Sequence, residues 1–196
     1  YQDRIGQFPR VNENNQVERF RTNVGDAFIY GLEVFTDWSL IDTFSPQRTG
    51  LKANFFVNLA LTQSEYTETN FSQVPIKGKK VEFIPEVNLK TGLNFGWKDL
   101  LGTLQYTYFS EQFTDATNAE AFLSESDPRS GIIGPIPAYD ILDFSLSYTW
   151  KKLKLEAGIN NLLDNSYFTR RATGYPGPGI IPAEPRTYYT TLQLKL

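Results

Sequence analysis

The chain has 196 residues and a formal net charge of -3 from 19 basic and 22 acidic side chains, and it contains neither Cys nor His. Without Cys there is no disulfide frame, thiolate metal site or cysteine nucleophile, and without His the commonest general base and metal ligand is missing. No basic stripe interleaved with aromatics runs through the sequence, which argues against nucleic acid as a partner.

Hydrophobic residues make up 40% of the chain and aromatics 15%. No apolar run approaches the roughly 18 residues that a spanning helix needs, so a helical membrane protein is excluded. A transmembrane β-barrel hides its apolar surface on alternate residues, and a soluble β-sandwich carries a similar composition. One ordinary domain fits this length. The chain nevertheless opens at Tyr1, without Met or a signal peptide, inside a segment that already reads as a strand, so a fragment of a longer polypeptide is expected.

After this partial strand over residues 1 to 8, residues 9 to 22 read as a long connection. Strict alternation then sets in. Phe28, Tyr30, Leu32, Val34, Trp38 and Leu40 share one parity, and Ala27, Gly31, Glu33 and Asp37 the other, giving a strand with one apolar and one small or polar face. An intermediate connection, 41 to 50, leads to Leu51, Ala53, Phe55, Val57, Leu59 and Leu61 set against Lys52, Asn54, Asn58 and Thr62. Residues 67 to 82 form the next long connection. Val87, Leu89, Leu93, Phe95 and Trp97 then oppose Glu86, Asn88, Lys90 and Asn94. A tight turn at 98 to 100 precedes Leu104, Tyr106 and Tyr108, which oppose Thr103, Gln105 and Thr107.

Beyond the longest connection, 110 to 138, Leu142, Phe144, Leu146, Tyr148 and Trp150 oppose Asp143, Ser145, Ser147 and Thr149. After the turn at 151 to 152, Leu153, Leu155, Ala157 and Ile159 oppose Lys154, Glu156 and Asn160. A last long connection, 165 to 185, leads to Tyr188, Leu192, Leu194 and Leu196 against Tyr189, Thr191, Gln193 and Lys195. That makes eight strands. Several exceed the ~5 to 6 residues usual in soluble sheets and reach the ~9 to 11 that cross a membrane at a tilt.

Outer-membrane barrels join their strands by short periplasmic turns and long extracellular loops. The connections 67 to 82, 110 to 138 and 165 to 185 are therefore expected outside the cell, and the turns 98 to 100 and 151 to 152 in the periplasm. Trp38, Trp97 and Trp150 each end a descending strand, while Tyr66, Tyr108, Tyr139 and Tyr188 fall at the opposite ends. The two sets outline girdles at lipid headgroup level. The inward set includes Gly31, Asn54, Asn58, Gly92, Asn94, Ser145 and Gly158, small or polar residues that suit a wide lumen.

The stretch Gly158-Ile159-Asn160-Asn161-Leu162-Leu163-Asp164-Asn165-Ser166-Tyr167 resembles the "N-L-hydrophobic-D-x-x-Y" signature of TonB-dependent receptors. Pro185-Arg186-Thr187-Tyr188-Tyr189 through Leu196 resembles that family's closing strand, and Asn23 through Glu33 its recurrent "N-x-G-x-A-x-x-x-G-x-E" strand. One departure is Leu196, where outer-membrane barrels often end in an aromatic residue. The resemblance implies an all-β, transmembrane antiparallel barrel of the bacterial outer membrane, with residues 1–196 supplying its last eight strands. It also implies a plug domain absent from this chain, and a transport role with no enzymatic reaction and no cofactor. The implied partners are a ferric chelate, the TonB complex through the missing N-terminal region, and outer-membrane lipid and lipopolysaccharide.

The segment Tyr167 to Pro182 looks like the last extracellular loop of receptors similar to the ferric citrate branch. Arg170, Arg171, Tyr175 and Arg186 are the candidate ligand-binding residues there. The arginines offer bidentate donors to carboxylates; pairing with Asp164, Glu184 or lipopolysaccharide is the competing reading. Asp115, Glu120, Glu125 and Asp127 match no calcium-loop spacing. Two further readings stand beside the receptor: a self-contained eight-stranded barrel with a structural or adhesive role, and a soluble β-sandwich carbohydrate-binding module.

Overall fold

The computed structural model describes residues 1–48, 50–70, 74–120, 131–174 and 178–195. Its main body is an antiparallel sheet of seven strands: β3 (Ala27–Ser39), β4 (Leu51–Tyr66), β5 (Val87–Trp97), β6 (Leu100–Phe109), β7 (Tyr139–Trp150), β8 (Leu153–Asn160) and β11 (Thr187–Leu194). These are the seven full strands expected from alternation, joined in simple sequence order as a meander. Two hairpins stand beside the sheet, β1 (Arg4–Val11) with β2 (Val17–Gly25), and β9 (Phe168–Ala172) with β10 (Gly179–Pro182). A single helical turn, α1 (Leu40–Phe44), follows β3, its first turn capped by the Ser39 side chain accepting from the Asp42 amide.

The partial strand expected at residues 1 to 8 is β1, but it is not an eighth wall strand of the main sheet. It pairs with β2, where a loop was expected, and its ladder reaches the sheet through Tyr1. The Tyr1 amino group donates to the Ala27 carbonyl at 2.9 Å and the Ala27 amide to the Tyr1 carbonyl at 3.0 Å. Among the described residues the sheet is open, with β3 and β11 at its edges. In a bilayer such edges need partner strands, as in a larger closed barrel.

Register fixes the faces. Trp38 pairs with Phe55, Phe55 with Leu93, Leu93 with Leu104, Leu104 with Phe144, Phe144 with Ile159 and Ile159 with Tyr188. This apolar row crosses all seven strands on one face. It also climbs: Trp38 lies one residue from the end of β3, Tyr188 six residues from the end of β11. With ~3.3 Å per residue and ~4.8 Å per strand step, the strands tilt by about 30°, near the range of transmembrane barrels. Trp38, Trp97 and Trp150 are 43%, 55% and 60% exposed on that outer face, as is Tyr188 at 71%. Tyr108 shares their parity.

Two of the expected girdle tyrosines are corrected by the same parity. Tyr66 pairs with Ala27 on the inner face and is fully buried. Tyr139 pairs with Phe109, also inward, and stacks on Tyr167 with ring centroids 4.8 Å apart. Both sit at the expected end of their strands but turn away from lipid.

Three cross-strand pairs set an aromatic ring over a glycine: Phe56 over Gly92, Phe95 over Gly102 and Tyr189 over Gly158. A Cβ at Gly158 would lie 2.4 Å from the Tyr189 ring. The ring fills the place a side chain would take, which protects the ladder at a residue that otherwise weakens a strand.

Among the described residues, a cluster of buried apolar side chains lies at the loop-bearing end. Phe8, Val24, Ala27, Tyr66, Ile76, Val81 and Ala116 pack there with Phe20, Ile29, Val74 and Ile84. Elsewhere the wall has one layer, so its outer apolar side chains remain exposed to what becomes lipid.

Candidate functional site

The loop-bearing end of the inner face is built around Tyr66. Its hydroxyl donates to Glu82 Oε2 at 2.7 Å, and Glu82 Oε1 accepts from the Gln7 amide at 3.2 Å. The Gln7 carbonyl accepts from the Ala116 amide at 2.9 Å. These bonds draw β1 across the inner face and fasten segments of two loops to its free edge, leaving β2 to present its alternate side chains.

Arg19 and Arg21 alternate with Phe20 on β2, so both arginines share one side while Phe20 packs on the core. Opposite them stands β9. Gln7, Arg19, Arg21, Phe83, Thr169, Arg170 and Arg171 line a cleft of about 330 Å³. An adjoining cleft of about 360 Å³ shares Gln7, Arg21 and Phe83 and adds Arg4 and Glu82.

The arginines are not equivalent. Arg171 is only 8% exposed. Its Nε and Nη2 donate to the Pro135 carbonyl at 3.2 and 2.9 Å, its Nη1 donates to the Gly131 carbonyl at 2.8 Å, and the guanidinium lies 5.0 Å from the Phe168 ring centroid. Burial lowers its pKa. Its donors are spent on backbone carbonyls, so it braces one loop against another. Arg186 stands apart from the cleft: its amide donates to Asp164 Oδ1 at 3.0 Å and its guanidinium lies 3.9 Å from Asp164 Oδ2. Tyr175 lies outside the described residues, as do Glu125 and Asp127. Of the three described residues expected to bind ligand, Arg170 alone brings an exposed charge into the cleft.

Arg19 and Arg21 are the arginines of the cleft that sequence reasoning missed. Burial lowers the pKa of Arg19 and so do Arg170 and Arg21, while Asp115 raises it. The one buried carboxylate thus offsets only part of the repulsion between the guanidinium groups. Asp115 itself is pushed up by burial, against donors from Thr117, and its Oδ2 has no hydrogen-bond partner. The result is a concave surface with surplus positive charge, whose planar donors suit an anion with several oxygens. Asn12-Glu13-Asn14-Asn15 between alternating segments was the signal available for this hairpin.

The Asn-rich stretch acts through main-chain geometry. Asn161 and Asp164 adopt left-handed φ values of 52° and 58°. The Asn161 amide donates to Asp143 Oδ1 at 2.9 Å, its Nδ2 donates to the Asn165 carbonyl at 2.9 Å, and Asn165 Nδ2 donates to the Asp140 carbonyl at 3.1 Å. With Asp164 accepting from Arg186, the motif ties the ends of β7 and β8 to the approach of β11. Among the described residues, no group of three or more His, Cys, Asp or Glu side chains is placed to hold a metal ion.

A family model described as TonB dependent receptor-like, beta-barrel matches residues 1–162. The ferric citrate transporter FecA in its unliganded form has the same fold with a TM-score of 0.71, at 21% identity over 96% of this chain and 27% of its own. The copper transporter OprC gives 0.67 at 18% over 98% and 27%. The ferric yersiniabactin uptake receptor FyuA from Yersinia pestis gives 0.65 at 18% over 89% and 24%. At these identities the likeness concerns the fold, and the chain spans about a quarter of the length of each. No curated protein matches the sequence.

Proposed function

The chain belongs to the TonB dependent receptor-like β-barrel family of the bacterial outer membrane, and from this premise we propose that it forms the C-terminal part of a receptor importing an anionic metal chelate. The favoured cargo is a ferric chelate of the siderophore or citrate type. In this reading a plug domain elsewhere in the polypeptide fills the lumen, and the TonB system supplies energy through the N-terminal region.

The observation that supports this reading is the inner-face cleft with Arg19, Arg21 and Arg170. Ferric citrate presents carboxylates that each match a guanidinium fork, and a partly desolvated charge-assisted bond contributes roughly 1.5 to 3 kcal/mol. The solved relatives carry different cargoes by their names, including copper, so the chelating anion matters here more than the metal.

Equilibrium binding of ferric citrate to the full-length receptor tests the proposal, with Arg21→Gln and Arg170→Gln combined and Arg19 left in place because it ties β2 to β9. Affinity is expected to fall at least tenfold if one contact is lost and more if several are. Iron-limited growth on ferric citrate should fall in parallel. Binding and growth equal to the parent would reject the cleft as the capture site.

A further inference from the structure

The two tight turns of the sheet share a device that neither the wall nor the cleft requires. The first residue of each is a lysine in the left-handed region, Lys98 at φ 54° and Lys151 at φ 54°, where Asn or Gly is the usual occupant. Each ammonium group lies over the indole of the preceding residue. Lys98 Nζ is 4.7 Å from the Trp97 ring centroid and Lys151 Nζ 5.3 Å from that of Trp150. Both indoles belong to the exposed outer face, so each cation is held where the apolar belt ends.

Backbone bonds knit these turns into one rim. The Lys98 amide donates to the Gly50 carbonyl at 2.8 Å, the Thr149 amide to the Asp99 carbonyl at 3.1 Å, and the Lys195 amide to the Lys152 carbonyl at 2.8 Å. Arg48, Lys98, Lys151, Lys152 and Lys195 are all exposed along it. None of the five is ion-paired with a carboxylate among the described residues. Asp99 is the exposed acid between them, and Asp42 at the start of α1 already accepts from the Ser39 hydroxyl at 2.6 Å.

We propose that this rim binds the phosphate groups of anionic phospholipids in the periplasmic leaflet. A cation–π contact orients an ammonium group without neutralising it, so Lys98 and Lys151 keep full charge at headgroup depth. A rim of net positive charge bordering an apolar belt favours lipids of net negative charge over zwitterionic ones, and the preference grows with each added Lys or Arg near the surface. The inference is independent of the cargo in the arginine cleft. It rests on the orientation that puts the short turns in the periplasm.

Native mass spectrometry of the full-length receptor in detergent, with dioleoyl phosphatidylglycerol and dioleoyl phosphatidylcholine at equal concentration, tests it. The parent should retain more phosphatidylglycerol. Lys98→Gln, Lys151→Gln, Lys152→Gln and Lys195→Gln together should lower that retention roughly fivefold or more, with heat-modifiable mobility and ferric citrate binding unchanged. If the combined variant does not assemble, Lys98→Gln and Lys151→Gln are measured singly, each with a smaller loss expected. Equal retention of the two lipids by the parent, or undiminished phosphatidylglycerol on the variants, would overturn the proposal. So would selective retention of lipopolysaccharide without phosphatidylglycerol, because it would assign the rim to the opposite leaflet.

Discussion

Arg19 of β2 donates a guanidinium hydrogen bond to the main-chain carbonyl of Arg171 on β9, across 152 residues of sequence. The two sides of the arginine cleft are therefore fastened to each other by the same residues that line it. Arg171 in turn holds Gly131 and Pro135, so a third segment is drawn into the same tie.

This arrangement separates two neighbouring arginines by role. Arg171→Ala should destabilise the 131–136 segment locally by roughly 2 to 3 kcal/mol, since two carbonyls lose a charged donor. Protease sensitivity and amide exchange there should rise. Arg171→Lys should rescue little, because a single ammonium cannot reproduce the fork. Arg170→Gln should leave exchange unchanged while lowering ferric citrate affinity. The reverse pattern would exchange the two roles.

Asp115 gives a pH dependence of defined sign. Its carboxyl is raised in the folded state by burial, so the native form holds the proton more tightly than the unfolded one. The stability contributed is complete below the ordinary carboxylate range and is lost as pH rises through the elevated value. Amide exchange over residues 114 to 118, corrected for intrinsic rates, should show most protection at a pH below the ordinary carboxylate range and progressively less as pH rises from there. Asp115→Asn should flatten that difference. A difference that survives the substitution would assign it to another group.

Gly158→Ala tests the aromatic cover. The new methyl must displace the Tyr189 ring, which joins β8 to the edge strand β11. A cost of about 1 to 3 kcal/mol is expected from such overpacking, seen as a lower temperature for the heat-modifiable shift of the full receptor. Gly158→Ala with Tyr189→Ala should recover part of it. No recovery would mean that the glycine is needed for another reason.

Orientation can be read by labelling. These 196 residues contain no Cys, so single cysteines introduced here add no internal background. Asn14→Cys, at the exposed tip of the β1–β2 hairpin, should react with an impermeant maleimide on intact cells. Lys151→Cys should react only after permeabilisation.

The wall was legible because lipid imposes a two-residue period, and β3 to β8 obey it. Above the belt that rule lapses. Val17 to Arg21 alternates arginine with Phe20 and Glu18, a pattern set by a polar cleft and a small core, which by sequence alone reads as a connection. Tyr66 and Tyr139 show a different loss. Their place at strand ends suggested lipid headgroups, but Tyr66 shares parity with Asn54 and Asn58, and that parity already pointed inward. Arg170 and Arg171 could not be told apart without β9, since adjacent residues on a strand face opposite ways. The carbonyls that receive Arg171 belong to a remote segment that no local pattern identifies.

The oblique row from Trp38 to Tyr188 has a mechanical meaning. Because the strands lean about 30° from the axis, a pull along that axis does not load the ladders one bond at a time. Each interstrand seam is strained partly along its length, where many hydrogen bonds yield together or not at all. A wall one layer thick can therefore stay stiff under an axial load.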